Sequence, residues 1–142
     1  MRRFEMRVDP LTNEIYYDVH LAGRALMADP LLNKGHSFPL NERVEFNLLG
    51  LLPDSVGTIE EQINRDYALY QTKATDLDKY VFLTALRDRN ETIFFALLAQ
   101  HIEEMLPIVY TPTVGLACLK HSHIIRRYRG IYVSPNTVNQ TE

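Results

Sequence analysis

Apolar side chains recur every three to four residues over much of the chain, a spacing that predicts amphipathic helices. The clearest start signal is Thr58 followed by Glu61, the pattern of a capping box. Asn90 is a second start signal, and Pro107 is expected to stop the helix that begins there. Short loops between such helices predict a mainly α bundle of about five helices. The predicted helices cover about 40–49, 59–72, 75–87, the stretch from Asn90 to Pro107, and about 113–121.

The two ends of the chain follow a different pattern. Residues 3–8 and 14–21 alternate apolar and polar side chains around a turn-forming stretch, which predicts a short β-hairpin. Residues 130–134 form another β-like run, and a strand there needs a partner, so we expect it to join a missing domain. The sequence is therefore divided into an N-terminal arm at 1–21, a helical domain at 22–134 and a polar tail at 135–142.

The composition narrows the class of protein. A chain of 142 residues is long enough for one domain with a buried core, and its single cysteine, Cys118, excludes an internal disulfide and a multi-cysteine zinc site. The net charge is −3, yet four basic residues and no acid lie between Glu104 and Glu142. We therefore expect an anion to bind near the C-terminal end. Basic residues placed at a helix end to complement its dipole fit the same pattern.

The same counts bear on partners and location. Four basic groups on an acidic chain release few counterions, so nucleic acid is not expected as a partner. The longest wholly apolar run, residues 93–99, is far shorter than the roughly 20 residues that span a bilayer, so no membrane is expected either. The N-terminus lacks the apolar stretch of an export signal. We therefore expect a cytoplasmic protein.

Several familiar arrangements of reactive residues are missing from the sequence. The six glycines are dispersed and form no phosphate-binding loop, and Glu103 and Glu104 point apart on a helix. His121 and His123 have the spacing of a metal-binding pair on extended chain, but no third ligand lies near them. No serine lies in the small-residue turn that a hydrolase nucleophile needs. The remaining candidate is a tyrosine next to a helix start.

Tyr110 is that tyrosine. Thr113 is expected to cap the following helix, whose free backbone N–H groups would then point towards an anion beside Tyr110. A phenol at the positive end of a helix can have its pKa lowered and donate a proton near neutral pH. A half-buried tyrosine whose hydroxyl donates to a backbone carbonyl fits the same spacing. The pattern alone leaves both interpretations open.

A series of short motifs resembles the N-terminal domain of malic enzymes. The resemblance runs in order from about residue 22 to 134, and the motif around Tyr110 is its most specific part. The matching motifs are Asn33-Lys34-Gly35, Glu42-Arg43, residues 48–53 (LLGLLP), Arg89-Asn90-Glu91, residues 107–118 (PIVYTPTVGLAC) and residues 126–134 (RRYRGIYVS).

The resemblance implies an enzymatic activity for which this chain supplies only some of the residues. Malic enzymes oxidise L-malate with NAD or NADP, decarboxylate the product with the help of Mg²⁺ or Mn²⁺, and protonate the enolate to give pyruvate. The tyrosine of the matched motif is the general acid for that protonation, which assigns this role to Tyr110. The family's lysine base, substrate-binding arginine, metal ligands and dinucleotide domain come later in its chain. The resemblance therefore implies that the isolated chain is inactive, binds no cofactor itself and forms a homodimer through the helical domain.

The resemblance also implies a regulatory site. Some malic enzymes are activated by a dicarboxylate such as fumarate through two arginines, which match Arg65 and Arg89 here. An acidic residue of that pocket falls at Gly57, which puts the site in doubt, and surface or interface ion pairs explain the two arginines equally well. The alternative function is a free-standing dimerisation or regulatory module that binds a dicarboxylate or a full-length relative.

Overall fold

We describe the chain from a computed structural model, which covers residues 3–137. Two strands and a series of helices follow one another with short connections, as the apolar spacing predicts. The strands are β1 (Phe4–Val8) and β2 (Ile15–Val19). The helices are α1 (Gly23–Met27), α2 (Leu40–Glu45), α3 (Ile59–Gln71), α4 (Asp76–Arg89), α5 (Glu91–Gln100), α6 (Ile102–Val109), α7 (Thr113–Leu119) and α8 (His121–Ile124), with one turn of 3-10 helix at Gly35–Ser37. The predicted mainly α fold with an N-terminal hairpin is confirmed.

The hairpin forms because its turn satisfies its own backbone. The Asp9 carboxylate accepts the Leu11 backbone N–H at 2.8 Å, and Asn13 takes the positive φ of 61° that closes the turn. The two strands then pair antiparallel, with Phe4 opposite Val19 and Val8 opposite Ile15. Phe4 and Val19 pack on a small core formed by buried residues of the N-terminal part, namely Leu26, Leu32, Phe38 and Leu48.

The helical bundle has a second core between α3, α4, α5 and α6. Its helices begin at residues that satisfy the free N–H groups. Thr58 and Glu61 form the predicted capping box, Thr75 accepts the Asp78 N–H, and Asn90 accepts the Ile93 N–H at 3.0 Å. The core is built from apolar residues repeated along these helices, namely Ile63, Tyr70, Leu83, Leu86, Ile93, Phe94, Leu97, Met105 and Ile108.

Two predicted helices end earlier than the sequence predicts. α2 ends at Glu45 instead of reaching Gly50, because Asn47 adopts φ 55° and the Leu48 N–H donates to the Arg43 carbonyl at 2.8 Å. These bonds form a Schellman ending one turn before the glycine. The predicted helix at 113–121 divides into α7 and α8, because the Lys120 backbone leaves the helical conformation between them.

Pro107 does not stop a helix, and its surroundings differ most from the prediction. The helix that begins at Asn90 breaks at His101, whose φ of −125° is not helical, and α6 then runs through Pro107 to Val109. The proline removes one backbone donor, but the Tyr110 N–H still bonds the Leu106 carbonyl at 2.9 Å. Residues 108–109 are therefore helical, although the sequence predicts that the helix ends at Pro107.

The predicted C-terminal strand has no partner within the part of the chain that the structure describes. Residues 131–134 belong to no helix or strand. Because the expected partner lies outside these residues, the strand stays a prediction. Part of the polar tail, residues 138–142, lies outside the described residues.

One stretch with the length and composition of a membrane span forms part of the bundle. Ile102–Leu119 is long and apolar enough, by length and composition alone, to cross a membrane. In the structure it comprises α6, a turn and α7, and α7 packs against α4 and α6. Met105, Ile108 and Ala117 are buried, so this stretch contributes to the protein's interior.

One buried arginine fixes the loops on either side of α2. Arg43 is 2% exposed, and its guanidinium donates to the carbonyls of Phe38 (2.7 Å), His36 (2.9 Å), Pro53 (2.6 Å) and Ser55 (3.1 Å). A buried charge is tolerated only when its donors are satisfied, and here backbone dipoles satisfy them. The planar guanidinium therefore determines where two loop segments lie relative to each other.

We expect Arg43→Lys to destabilise the chain by about 3 kcal/mol, because one ammonium group cannot bond both loop segments and leaves buried carbonyls unpaired. Urea unfolding followed by circular dichroism measures the change. The matched control is Arg24→Lys at an exposed site, where we expect a change within about 0.5 kcal/mol. Equal stability of the two variants would contradict the role of Arg43.

Two neighbouring tyrosines on α3 predict changes of opposite sign. The Tyr70 side chain is fully buried and its hydroxyl has no hydrogen-bond partner in the described structure, whereas the Tyr67 hydroxyl donates to Glu104 at 2.8 Å. We expect Tyr70→Phe to stabilise the fold by about 1 kcal/mol and Tyr67→Phe to destabilise it. Thermal and urea unfolding measure both.

The pH dependence gives a second test of Tyr70. Burial raises the pKa of Tyr70 from 10.0 to about 12. An unfolded chain ionises this phenol near pH 10 while the folded chain does not, so stability falls as the pH rises from 10 towards 12. The Tyr70→Phe variant has no phenol to ionise at this position, so it does not share this fall in stability. We therefore expect the variant's stability advantage over the parent to grow from pH 10 towards pH 12.

Candidate functional site

Tyr110 lies at the turn between α6 and α7. Its backbone N–H donates to the Leu106 carbonyl and its own carbonyl accepts from the Val114 N–H, both at 2.9 Å. These two bonds hold the Tyr110 backbone between two helices that also pack against each other. Tyr110 lies at this turn because α6 continues past Pro107 to Val109.

The Tyr110 ring faces solvent. It is 65% exposed, and within residues 3–137 its hydroxyl is not bonded to a backbone carbonyl. The half-buried interpretation of this tyrosine therefore does not describe the structure. The predicted cap is wrong, because Pro112 occupies the N-cap position and Thr113 is a buried first residue of α7.

Tyr110 belongs to a row of exposed apolar side chains. Ile102, Leu106 and Tyr110 are four residues apart along α6 and its end, so they share one side of the helix, and all three are exposed. Leu116 on α7 is exposed as well. Apolar groups grouped on one surface are typical of a place that another part of a protein covers.

The two candidate arginines line the same cavity. Arg65 on α3 and Arg89 at the end of α4 contribute to a cavity of about 360 Å³, together with Asp66, His36 and Asn33. Arg89 donates to the Asp66 carboxylate at 3.3 Å. The structure thus brings together the two residues that the resemblance singles out, across a sequence separation of more than one helix.

Asp66 is the residue of this cavity that the sequence analysis missed. Burial raises the pKa of Asp66, while the positive charges of Arg89 and Arg65 oppose that rise. Its carboxylate occupies one donor group of Arg89 and gives the cavity a mixed charge. Its pairing depends on the packing of α3 against α4, so sequence spacing does not reveal it.

A tightly packed turn forms the opposite wall of the cavity. The buried Asn33 side chain accepts the Gly35 N–H at 2.8 Å, and buried Gln62 donates to the Lys34 carbonyl at 3.1 Å. Gly35 has φ 56°, and a Cβ there would collide with the Gln62 amide oxygen. Gly57 lies beside this wall and donates its N–H to the His36 carbonyl at 3.1 Å.

The basic C-terminal residues are partly neutralised within the chain. Arg129 donates to Asp88 and Glu91, and Arg127 donates to the Asp88 carbonyl at 3.3 Å. The carboxylates of Asp88 and Glu91 therefore neutralise part of the positive charge for which the sequence predicts a bound anion. Arg126 and Lys120 remain exposed.

The described residues do not supply a metal site. No group of three His, Cys, Asp or Glu side chains within residues 3–137 is arranged to hold a metal ion. His121 lies near Tyr132, at 3.5 Å from its hydroxyl, and His123 contacts Ser122, so the structure places no third ligand with them. The side chains of residues 3–137 therefore do not fit a metal ion.

Comparisons with known proteins agree with the motifs. The family profile described as "Malic enzyme, N-terminal domain" matches residues 87–142. Proteins named NAD-dependent malic enzyme are 55% identical over 116 residues in Pseudomonas savastanoi pv. phaseolicola, 53% over 121 residues in Sodalis glossinidius and 53% over 116 residues in Vibrio parahaemolyticus. These matches cover 82%, 85% and 81% of this chain respectively, and 21% of each relative.

The extent of the matches defines what is shared. The chain spans about a fifth of the length of these relatives, and the profile match includes the Tyr110 motif and the segment from Arg126 to Ser134. The resemblance seen in the sequence is thereby confirmed: the chain carries the N-terminal domain of the malic enzyme family.

Proposed function

We propose that this chain is the helical N-terminal part of an enzyme that converts L-malate to pyruvate and CO₂ with NAD. The observation that carries the proposal is the identity of 55% over 116 residues to a protein named NAD-dependent malic enzyme. NADP is the alternative acceptor, and Mg²⁺ or Mn²⁺ is the expected metal. The ligands for these groups belong to the remaining four fifths of such an enzyme. The isolated chain is therefore inactive in this proposal.

Tyr110 is the residue of this chain that takes part in the reaction. Its exposed hydroxyl donates a proton to the methylene carbon of the enolate, where a C–H bond forms and gives the methyl group of pyruvate. The phenolate that remains is reprotonated by a proton donor outside this chain. The rigid backbone of Tyr110 supports this role, because a general acid must be held at a fixed position.

The exposed apolar row of Ile102, Leu106 and Tyr110 supports contacts with other parts of the enzyme. A covered surface around Tyr110 would exclude water from the reacting phenol. The helical domain also forms the homodimer in this proposal, with neither nucleic acid nor a membrane as a partner. We place the enzyme in the cytoplasm.

A chimera tests the role of Tyr110. This chain replaces the matching segment of the Pseudomonas savastanoi relative, and pyruvate formation is measured with L-malate, NAD and Mn²⁺. We expect the chimera to be active and its Tyr110→Phe variant to lose about 10²–10⁴-fold in kcat, since the phenyl ring has no proton to donate.

Tyr128→Phe is the matched control, because Tyr128 is also exposed and belongs to the same domain. We expect it to keep the activity of the parent chimera, and we expect the isolated chain to form no pyruvate. Normal pyruvate formation by Tyr110→Phe would show that the general acid is another group.

A second candidate function is regulation through a dicarboxylate. The shared cavity of Arg65 and Arg89 favours it, because two cationic side chains in one cavity can bind both ends of a dianion. Asp66 opposes it, since its carboxylate must give up its contact with Arg89. The free-standing module remains the alternative to a catalytic domain in this case.

Titration calorimetry of the chain with fumarate tests the second candidate. We expect measurable binding in the parent and about tenfold weaker binding in Arg89→Gln, because one charge-assisted contact is lost. Arg87→Gln, an exposed arginine on the same helix, is the control and should bind as the parent does. No heat of binding in the parent, or equal losses in both variants, would rule the site out.

A further inference from the structure

Arg129 makes three hydrogen bonds to one short stretch of chain. Its Nε donates to Asp88 at 2.6 Å, its Nη1 donates to Glu91 at 2.8 Å, and its Nη2 donates to the Arg87 carbonyl at 3.2 Å. The whole planar guanidinium is thus engaged, and both carboxylates are themselves mostly shielded from solvent. Contacts of this kind are stronger than an exposed ion pair, because each is charge-assisted and screened less by water.

The groups that accept hydrogen bonds from Arg129 lie at the junction of α4 and α5, which hydrogen bonds hold in place. Asn90 caps α5 there, and the Glu91 N–H donates to the Pro30 carbonyl at 2.8 Å. Arg129 itself belongs to a stretch without helix or strand and is followed by Gly130 at φ 117°. An irregular segment is therefore attached to a rigid support through one side chain.

The attached segment forms a wall of a cavity. Arg127, Arg129 and Tyr132 line a cavity of about 240 Å³, whose other walls include Phe94 and Val109. Val109 directly precedes Tyr110 in sequence. The path of residues 127–132 along the bundle thus determines what lies beside the end of α6.

We propose that Arg129 is a positioning residue, which holds residues 127–132 against the α4–α5 junction and so fixes how the chain leaves the helical bundle. The proposal depends on the three contacts of its guanidinium and is independent of any role for Tyr110. Arg126 is three residues away and exposed, and within residues 3–137 its side chain donates only to the carbonyl of its neighbour Ile125 at 3.5 Å. It provides a matched arginine without the anchoring contacts.

A single tryptophan can report on this segment, because the chain contains none. Tyr132→Trp places the probe on the wall of the cavity, and acrylamide quenching measures how accessible the probe is. We expect Arg129→Gln in this background to raise the quenching constant about twofold, by detaching the segment. We expect Arg126→Gln to leave it unchanged. Equal quenching constants for the two variants would overturn the proposal.

Variants on the acidic side separate anchoring from general destabilisation. The double variant Asp88→Asn, Glu91→Gln should raise quenching as Arg129→Gln does, and combining all three changes should add nothing further, because the groups act as one unit. Arg129→Lys should raise quenching less than Arg129→Gln does, since lysine keeps the positive charge but lacks the forked donors of the guanidinium. Fully additive effects, or a rise in quenching that occurs only when circular dichroism reports loss of helix, would equally overturn the proposal.

Discussion

The buried guanidinium of Arg43 is the interaction on which the N-terminal half of the structure depends. Its three guanidinium nitrogens donate to backbone carbonyls from two loop segments, so a charge in the interior is stabilised without a carboxylate. One of these segments contains His36, whose carbonyl also accepts the Gly57 N–H just before α3 begins. The position of α3, and with it Arg65 and Asp66, therefore depends on a side chain that contacts neither residue.

The junction of α4 and α5 lies between the cavity of Arg65 and Arg89 and the segment that contains Arg129. Successive residues there face opposite directions, since Asp88 and Glu91 bond Arg129 while Arg89 and Asn90 line the cavity of Arg65. Asn90 allows this arrangement, because it ends one helix and caps the next within a single residue. A short break between helices thus supports a cavity on one side and the departing chain on the other.

Local interactions account for what the sequence could predict. The capping residues Thr58, Thr75 and Asn90 contact their own first turns, so their positions fixed three helix starts correctly. The predicted helix end at Pro107 is wrong, because the packing of Met105 and Ile108 outweighs the hydrogen bond that the proline removes. The pairing of Arg129 with Asp88 joins residues 41 apart, and no spacing rule reveals it. The role assigned to Tyr110 rests on family resemblance, since exposure alone does not identify a general acid.

The contact between Gly35 and Gln62 limits how this domain can diverge. Any side chain at position 35 meets the Gln62 amide, which is held in place by the Lys34 carbonyl and the Ser37 hydroxyl. Shortening residue 62 would remove the collision, but the φ of 56° would still restrict position 35 to glycine or to a residue such as Asn13 or Asn47, which adopt φ 61° and 55°. Substitution is therefore easier beside this wall than within it. At Gly57, for example, an added Cβ would lie 3.1 Å from the Glu61 carboxylate, a contact that a small movement of Glu61 relieves.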